Sequence, residues 1–295
     1  MQAFGLHLAT DLPLPGDWGT PKTISDRRLE IVLDSSVPER LADATLEWAA
    51  PIDGGRFIVD RGADGTFLFR HETGRHLLSS DFGLLRCAPH DVHNPGWYRV
   101  LLDSVLLCIV LLGGREGLHA ASVIVGDSAV AIVAQSGGGK STLVAELMRR
   151  GHKLLSDDIT FLAPSADGPP LAIPGPPVMT LPEGEDAPTQ AQVLMKLPEE
   201  RWISAAVAHA PAALRTIIQL DRRPRAVTAM RSADNDASVV LLSAMLALPR
   251  TLERTLSRLD VASALAARCQ ILKLTASPSA TPTELAGLVE RALAA

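Results

Sequence analysis

Apolar positions along this chain change their period part-way through. Before about residue 94 they come in short runs bounded by turn residues, the signature of strands with a buried face. Residues 29–33 (LEIVL) form one such run. Residues 56–60 and 66–70 flank Gly62-Ala63-Asp64-Gly65 and predict a hairpin with a glycine-containing loop. Residues 76–80 predict a further strand. Residues 1–95 thus read as a small antiparallel β-rich module, and from residue 96 helical and strand periods alternate. An apolar helix is predicted over 97–112 and strands over 122–125 and 129–134 (AVAIVA). A helix follows over 142–150, with Leu143, Leu147 and Met148 at helical spacing. Residues 152–162 form an apolar strand candidate interrupted by Asp157 and Asp158. Later come a strand ending the run 213–220, amphipathic helices over 237–248 and 252–267, and a strand over 271–274. Thr281-Pro282-Thr283-Glu284 has capping-box spacing with proline at the first helical position, so a last helix runs to about Leu293. The Ala/Pro-rich residues 164–189 predict a loop-rich lid or substrate loop.

The strand–turn–helix order frames a glycine loop. Ala134-Gln135-Ser136-Gly137-Gly138-Gly139-Lys140-Ser141 matches G-x-x-x-x-G-K-[ST] at all but its first fixed position, where Ala stands for Gly, and Thr142 follows. Glycines without a Cβ let the backbone approach a ligand closely. Successive N–H groups then form an anion nest, strengthened by the helix dipole behind them. Lys140 is placed to reach the β- and γ-phosphates of a nucleotide, and the Ser141 hydroxyl to ligate Mg²⁺.

Asp157-Asp158 lies one helix further on. Two carboxylates inside an apolar strand are costly to bury unless paired or metal-bound. On a pleated strand they point to opposite faces. One therefore suits Mg²⁺ and the other an acceptor hydroxyl, as general base; the competing reading is a strand-end turn capping backbone amides. Gly151 sits where a helix C-cap glycine belongs. His152 reads as a helix-end residue near the C-terminal dipole rather than as a catalytic group.

With these residues in hand, the segment 119–162 resembles the catalytic core of the HPr kinase/phosphorylase family, P-loop kinases with a phosphoenolpyruvate carboxykinase-like fold. The resemblance rests on the glycine loop, Arg150-Gly151-His152, Asp157-Asp158, and Leu118-His119-Ala120 one strand upstream. It implies an α/β fold with a mixed sheet and a kinase activity using ATP and Mg²⁺. It also implies Lys140 on the phosphates, Ser141 and Asp158 on the metal, and Asp157 as acid/base. His119 stands as a further catalytic candidate, or as a structural histidine between strands. The family's second glycine-rich signature, linked to phosphorylase activity, is absent after Asp158. The amino terminus is more similar to the shorter HPr kinase-related proteins of lasso-peptide clusters. Phe4-Gly5-Leu6 precedes Asp11-Leu12-Pro13-Leu14-Pro15, and Pro174-Gly175-Pro176-Pro177 follows the D-D strand. That resemblance implies a serine of a precursor peptide as acceptor; a homo-oligomer is compatible with it.

Composition narrows the setting. Net charge is −5 with pI near 5.9, so a nucleic-acid partner is not implied. Cys87, Cys108 and Cys269 are too widely spaced for a metal or redox motif, in keeping with a reduced cytoplasm. No basic-then-apolar signal segment opens the sequence, and the apolar run 100–112 holds Asp103 and is shorter than a membrane span needs. Asp221-Arg222-Arg223-Pro224-Arg225 reads as a phosphate or acidic-peptide holder, or as a solvated turn. The first module serves packing or peptide binding through a sheet edge; His71, His76, His90 and His93 are too scattered for a metal site. The residues point to a nucleotide-using phosphoryl transferase, and the resemblance implies an ATP-dependent serine kinase acting on a peptide or small protein. A small-molecule kinase and a nucleotide-binding regulator are the alternatives; a motor or transporter ATPase is disfavoured because L-S-G-G-Q is missing.

Overall fold

The computed structural model describes residues 1–19, 27–52, 55–188, 191–224, 226–233, 237–246 and 251–294. Its contacts separate two compact units, one of residues 1–15 and 23–114, the other of 16–22 and 115–295.

The first unit is built on an eight-stranded sheet. Its strands are β1 (Gln2–Ala3), β2 (Leu6–Ala9), β3 (Arg28–Leu33), β4 (Thr45–Ile52), β5 (Gly55–Arg61), β6 (Phe67–His71), β7 (Gly74–Leu78) and β8 (Leu84–Pro89). They lie in the order β1-β2-β3-β8-β7-β6-β5-β4. The hairpin expected around Gly62–Gly65 is β5–β6, with Ile58 opposite Arg70. The sheet is mixed rather than antiparallel, because β3 runs parallel to both β2 and β8. Sequence periodicity finds strands one at a time and carries no information on their relative direction. β4, at the sheet edge, contains Pro51 and is largely exposed, which hides it from a burial pattern.

Helical residues Pro95–Leu112 follow as α1 (Pro95–Arg99), a π-helical stretch (Val100–Val105) and α2 (Leu106–Leu112). Asn94 caps the start by accepting from the Gly96 amide at 2.8 Å. The sequence placed the domain division at residues 95/96; the contacts divide the chain between Gly114 and Arg115. Trp97, fully buried, stacks on His76 of β7, and Gly113 O accepts from Arg27 at 2.8 Å, so this helix packs within the first unit. The helix is long and apolar enough to cross a membrane, but 61% of it is buried inside the fold.

The second unit carries a mixed sheet covered by helices on both faces. Its strands are β9 (Gly117–Val125), β10 (Ser128–Val133), β11 (Lys153–Ser156), β12 (Ile159–Ala163), β13 (Leu171–Ile173), β17 (Ala212–Arg222), β18 (Ala229–Ser232) and β19 (Gln270–Ala276); β14 (Val178–Pro182), β15 (Val193–Lys196) and β16 (Glu200–Ser204) form a separate three-stranded sheet. β10, β17 and β19 run parallel, while β9 and β18 pair antiparallel at either side. Because β10 also pairs with β17, the pairings β10-β9-β12-β13-β17-β10 form a closed circuit with no free edge inside it.

Alternation along β10 assigns the two faces. Val130 and Ile132 face a core with Leu143, Val144 and Leu147 of α3 (Lys140–Arg149) and Leu285 and Val289 of α6 (Pro282–Ala294). Ala129, Ala131 and Val133 face the opposite core, with Val240 and Leu241 of α4 (Ala237–Ala244) and Ala262 and Leu265 of α5 (Leu252–Arg268). A sheet buried on both faces explains why β10 reads as a continuous apolar run. The capping box forms as expected: the Thr281 amide donates to Glu284 Oε2 at 2.8 Å and the Glu284 amide to Thr281 Oγ1 at 3.2 Å. Expected residues 247 and 248 of the 237–248 helix lie outside the described residues. The stretch 164–189, expected to be loop-rich, contains β13 and β14, whose few residues are bracketed by prolines.

Candidate active site

The glycine loop links the end of β10 to the start of α3. The Gly138 amide donates to Gln135 O at 2.8 Å, closing a turn. A Cβ on Gly138 would lie 2.8 Å from that same oxygen and 2.9 Å from Ala134 Cβ, so no larger residue fits there. Gly139 occupies the N-cap position of α3 with φ +92°, a conformation that favours glycine. Gln135, Ser136 and Gly137 are exposed at the loop's crest, and Ala134 is buried beneath it. This arrangement aims α3 and its unpaired first amides out of the loop, where an anion is favoured.

Lys140, the first residue of α3, is only 8% exposed at its side chain. Its Nζ lies 3.1 Å from His119 Nε2 and 3.6 Å from Asp158 Oδ1, while His119 Nε2 lies 3.0 Å from the same Oδ1. Three residues from β9, the β11–β12 bend and the loop–helix junction thus meet at one point. Nε2 can serve only one of its two neighbours. When Nε2–H donates to Asp158, Lys140 is held by the charge of Asp158 alone and its N–H groups remain available to an incoming anion. Ser141 and Thr142 follow on α3; Ser141 is half-buried, and Thr142 Oγ1 donates to Glu185 Oε1 at 3.4 Å.

The two aspartates do not sit within a continuous strand. β11 and β12 both pair antiparallel with β9, Ser156 opposite Ser122 and Ile159 opposite His119. Asp157 and Asp158 form the bend between them. The Ile159 amide donates to Asp157 O at 2.5 Å across a three-residue turn, and Asp158 at its apex has φ +52°. The buried Ser156 hydroxyl ties the turn to Ile159 O. The expectation of opposite faces on a pleated strand is replaced by this turn, because a left-handed residue breaks the pleat. The two side chains still reach different partners.

Asp158, exposed at its side chain, turns to His119 and Lys140. Desolvation opposes its ionisation, but the His119 hydrogen bond and the charges of His119 and Lys140 outweigh it and hold the carboxyl below its ordinary value. Asp157 is half-buried, and its Oδ2 accepts from the Thr180 amide of β14 at 2.8 Å. Its Oδ1 is shut off from water and has no hydrogen-bond partner. Burial pushes the Asp157 carboxyl up to about 7; the Thr180 amide works against the rise and the neighbouring charge of Asp158 adds to it. A carboxyl that gives up its proton near neutrality, with one oxygen unengaged, is equipped for proton transfer.

The other sequence candidates divide. Arg150 and His152 converge on Glu290 of α6 at 2.7 and 3.1 Å, and α3 ends in a Schellman turn with the Gly151 amide on Met148 O and the His152 amide on Leu147 O. Arg150-Gly151-His152 therefore docks α3 on α6. In the arginine cluster, Arg223 pairs with Asp221 at 2.7 Å in an exposed setting, Arg222 turns toward the glycine loop, and Arg225 lies outside the described residues. His71, His76, His90 and His93 remain in the first unit; His76 is fully buried, and burial lowers its pKa to about 3. Sequence reasoning missed Thr180 and Glu185. Thr180 acts through its backbone, which no side-chain signal reveals, and Glu185 lies in an unpatterned polar stretch.

The residues fit a magnesium nucleotide. Among the described residues no group of three or more His, Cys, Asp or Glu side chains forms a metal cage by itself. Mg²⁺ is commonly held by one or two carboxylates plus substrate phosphates, and Ser141 and Asp158 flank the buried lysine of the loop.

No protein-family model matches this sequence, and no curated protein matches it. Among solved structures, the Hpr(Ser) kinase/phosphatase from Coxiella burnetii is similar at 13% identity and a TM-score of 0.33, over 60% of this chain and 96% of that one.

Proposed function

We propose that this protein is an ATP-dependent kinase that phosphorylates a serine of a peptide or small protein. The observation that carries the reading is Asp157, a carboxyl poised near pH 7 with a dry, unengaged oxygen, beside the lysine of a glycine loop. The backbone amides from Gly137 to Ser141 and the Lys140 ammonium hold the triphosphate. Ser141 and Asp158 hold Mg²⁺, which supplies countercharge to the transferring phosphoryl group. Once acceptor binding opens the sealed side of the Asp157 carboxyl, Oδ1 accepts the proton of the acceptor hydroxyl as the hydroxyl oxygen forms the new P–O bond and ADP departs. The Thr180 amide keeps Asp157 Oδ2 occupied, so Oδ1 is the oxygen that works. His119 orients Asp158. Positioning and electrostatics supply most of the rate in phosphoryl transfer.

The acceptor class follows the resemblance to the kinase-related proteins of lasso-peptide clusters, with a ribosomal precursor peptide as the first candidate, and the setting is taken as cytoplasmic. Edge strand β4 of the first unit, with Leu46 exposed, offers backbone groups for an extended chain. The test is intact mass spectrometry of HPr and of the precursor peptide encoded nearest the gene, after incubation with protein, Mg²⁺ and ATP. A gain of one phosphate on the peptide, absent with Asp157→Asn, is expected. Phosphorylation of HPr alone would reassign the acceptor. Bound ATP with no modified acceptor would favour a small-molecule kinase or a nucleotide-binding regulator.

A further inference from the structure

Arg222 is the last residue of β17, the strand that runs parallel to both β10 and β19. Val133, the last residue of β10, pairs with Gln219, so Arg222 stands three positions further along, on the side where the glycine loop departs. In α/β folds, open or closed, ligands bind beyond the carboxyl ends of the parallel strands. On its other flank Arg222 pairs with Ala276 of β19. The turn after Ala276 holds its guanidinium: Nη1 donates to Ser277 O at 3.2 Å, Pro278 O at 3.4 Å and Ala280 O at 3.3 Å.

Those carbonyls engage one nitrogen. The opposite edge, Nε and Nη2, faces the glycine loop: a Cβ placed on Gly139 would lie 3.5 Å from Nε and 3.8 Å from Nη2. Among the described residues no acceptor meets that edge. A half-buried cation is thus pinned from behind and turned toward the positive N-terminus of α3. That is an unfavourable arrangement until an anion enters. Two parallel N–H groups on a planar guanidinium match two phosphate oxygens. The neighbouring Arg223, exposed and paired with Asp221, offers no such edge.

We propose that Arg222 is a phosphate ligand of the nucleotide site, its Nε–Nη2 edge binding oxygens of the triphosphate held by the glycine loop. This rests on the reading of that loop as a nucleotide site. It gives the arginine run of residues 222–225 one functional member, within van der Waals reach of the Gly139 N-cap of α3.

The test is calorimetric titration of Mg²⁺–ATP into wild type, Arg222→Met, Arg222→Lys, Arg222→Ala and Lys140→Ala, with a heat melt of each unliganded protein. Arg222→Met should weaken ATP about ten- to a hundredfold, the range of one charge-assisted contact. Arg222→Lys should recover only part, because an ammonium lacks the fork. Added methylguanidinium should restore part of the affinity lost in Arg222→Ala, which a structural role for the side chain would not produce. If Arg222→Met binds ATP within twofold of wild type while Lys140→Ala loses more than tenfold, the assignment of Arg222 falls and the loop reading stands. Weakened binding with a lowered melt and no guanidinium rescue makes Arg222 a brace for residues 277–280 and also overturns the assignment. Wild type that binds no ATP overturns both.

Discussion

Replacing Asp157 by Asn should stabilise the second unit at alkaline pH while removing the proposed activity. The carboxyl titrates at about 7 in the fold, against 3.8 for the unperturbed group. At about 1.4 kcal/mol per pH unit, holding it ionised costs the fold about 4 kcal/mol at most. Asp157 is half-buried, and an interior that responds with an effective dielectric near 20 reduces this to about 2 kcal/mol. The sign follows from linkage. A carboxyl with a raised folded pKa contributes its stability below pH 4 and loses it as pH rises to 7. Asn keeps an oxygen for the Thr180 amide and carries no charge, so the two proteins should be nearly equal at pH 4. The variant should lead by about 2 kcal/mol at pH 8. Urea unfolding followed by hydrogen exchange of β10 and β17 amides reads the second unit alone. Stability curves that run parallel from pH 4 to pH 8 would refute the assignment of a buried, strained carboxylate, whatever the kinetics show.

Lys140→Ala should weaken ATP binding more than tenfold and leave the far-ultraviolet dichroism unchanged; undiminished binding in a calorimetric titration would contradict the loop reading. His119→Ala removes the hydrogen bond that lowers the Asp158 pKa, so the Asp158 carboxyl should titrate at higher pH than in wild type when its carbon resonance is followed by NMR, and an unmoved titration would separate His119 from Asp158. Glu290→Gln cuts the anchor shared by Arg150 and His152, whose partner carboxyl is held below its ordinary value against desolvation by hydrogen bonds from both. Its stabilisation is present above the unfolded carboxylate pKa and lost as pH falls through the folded one. The melt should drop by about 2–4 °C at pH 7 and by progressively less as the pH is lowered, with KM for ATP unchanged; a KM that rises with it would give Arg150 and His152 a role at the nucleotide.

Much of the second unit was legible because its physics is local. The run 129–134 is apolar throughout since β10 is covered on both faces, and the capping box at Thr281 and the glycine after α3 announce helix ends through their own backbone needs. The glycine loop was legible for the same reason. What escaped depended on distant partners. A turn at Asp157-Asp158 is one of the two readings residues 152–162 allow, but nothing in them decides for it, because the turn is imposed by two strand segments pairing with one β9. Thr180 contributes an amide any residue could supply. The first unit was half read: its central hairpin is periodic, while the exposed edge strand β4 and the two-residue β1 carry too few buried positions to show a period. The apolar helix 97–112 was found, but its membership in the first unit depends on Trp97 stacking on His76, a contact invisible to spacing.

β9 pairs with β10 on one side and with both β11 and β12 on the other, and Ile159 lies directly across from His119. The candidate site is therefore an alignment mark. A slip of β12 by one residue along β9 would put Leu118 or Ala120 where His119 stands, and would turn Asp158 away from Lys140 while leaving the helices in place. A molecule mispaired in this way would keep its secondary structure and lose its chemistry. The specific activity of a refolded sample, set against its dichroism, would thus count the fraction of chains whose strands have paired in register.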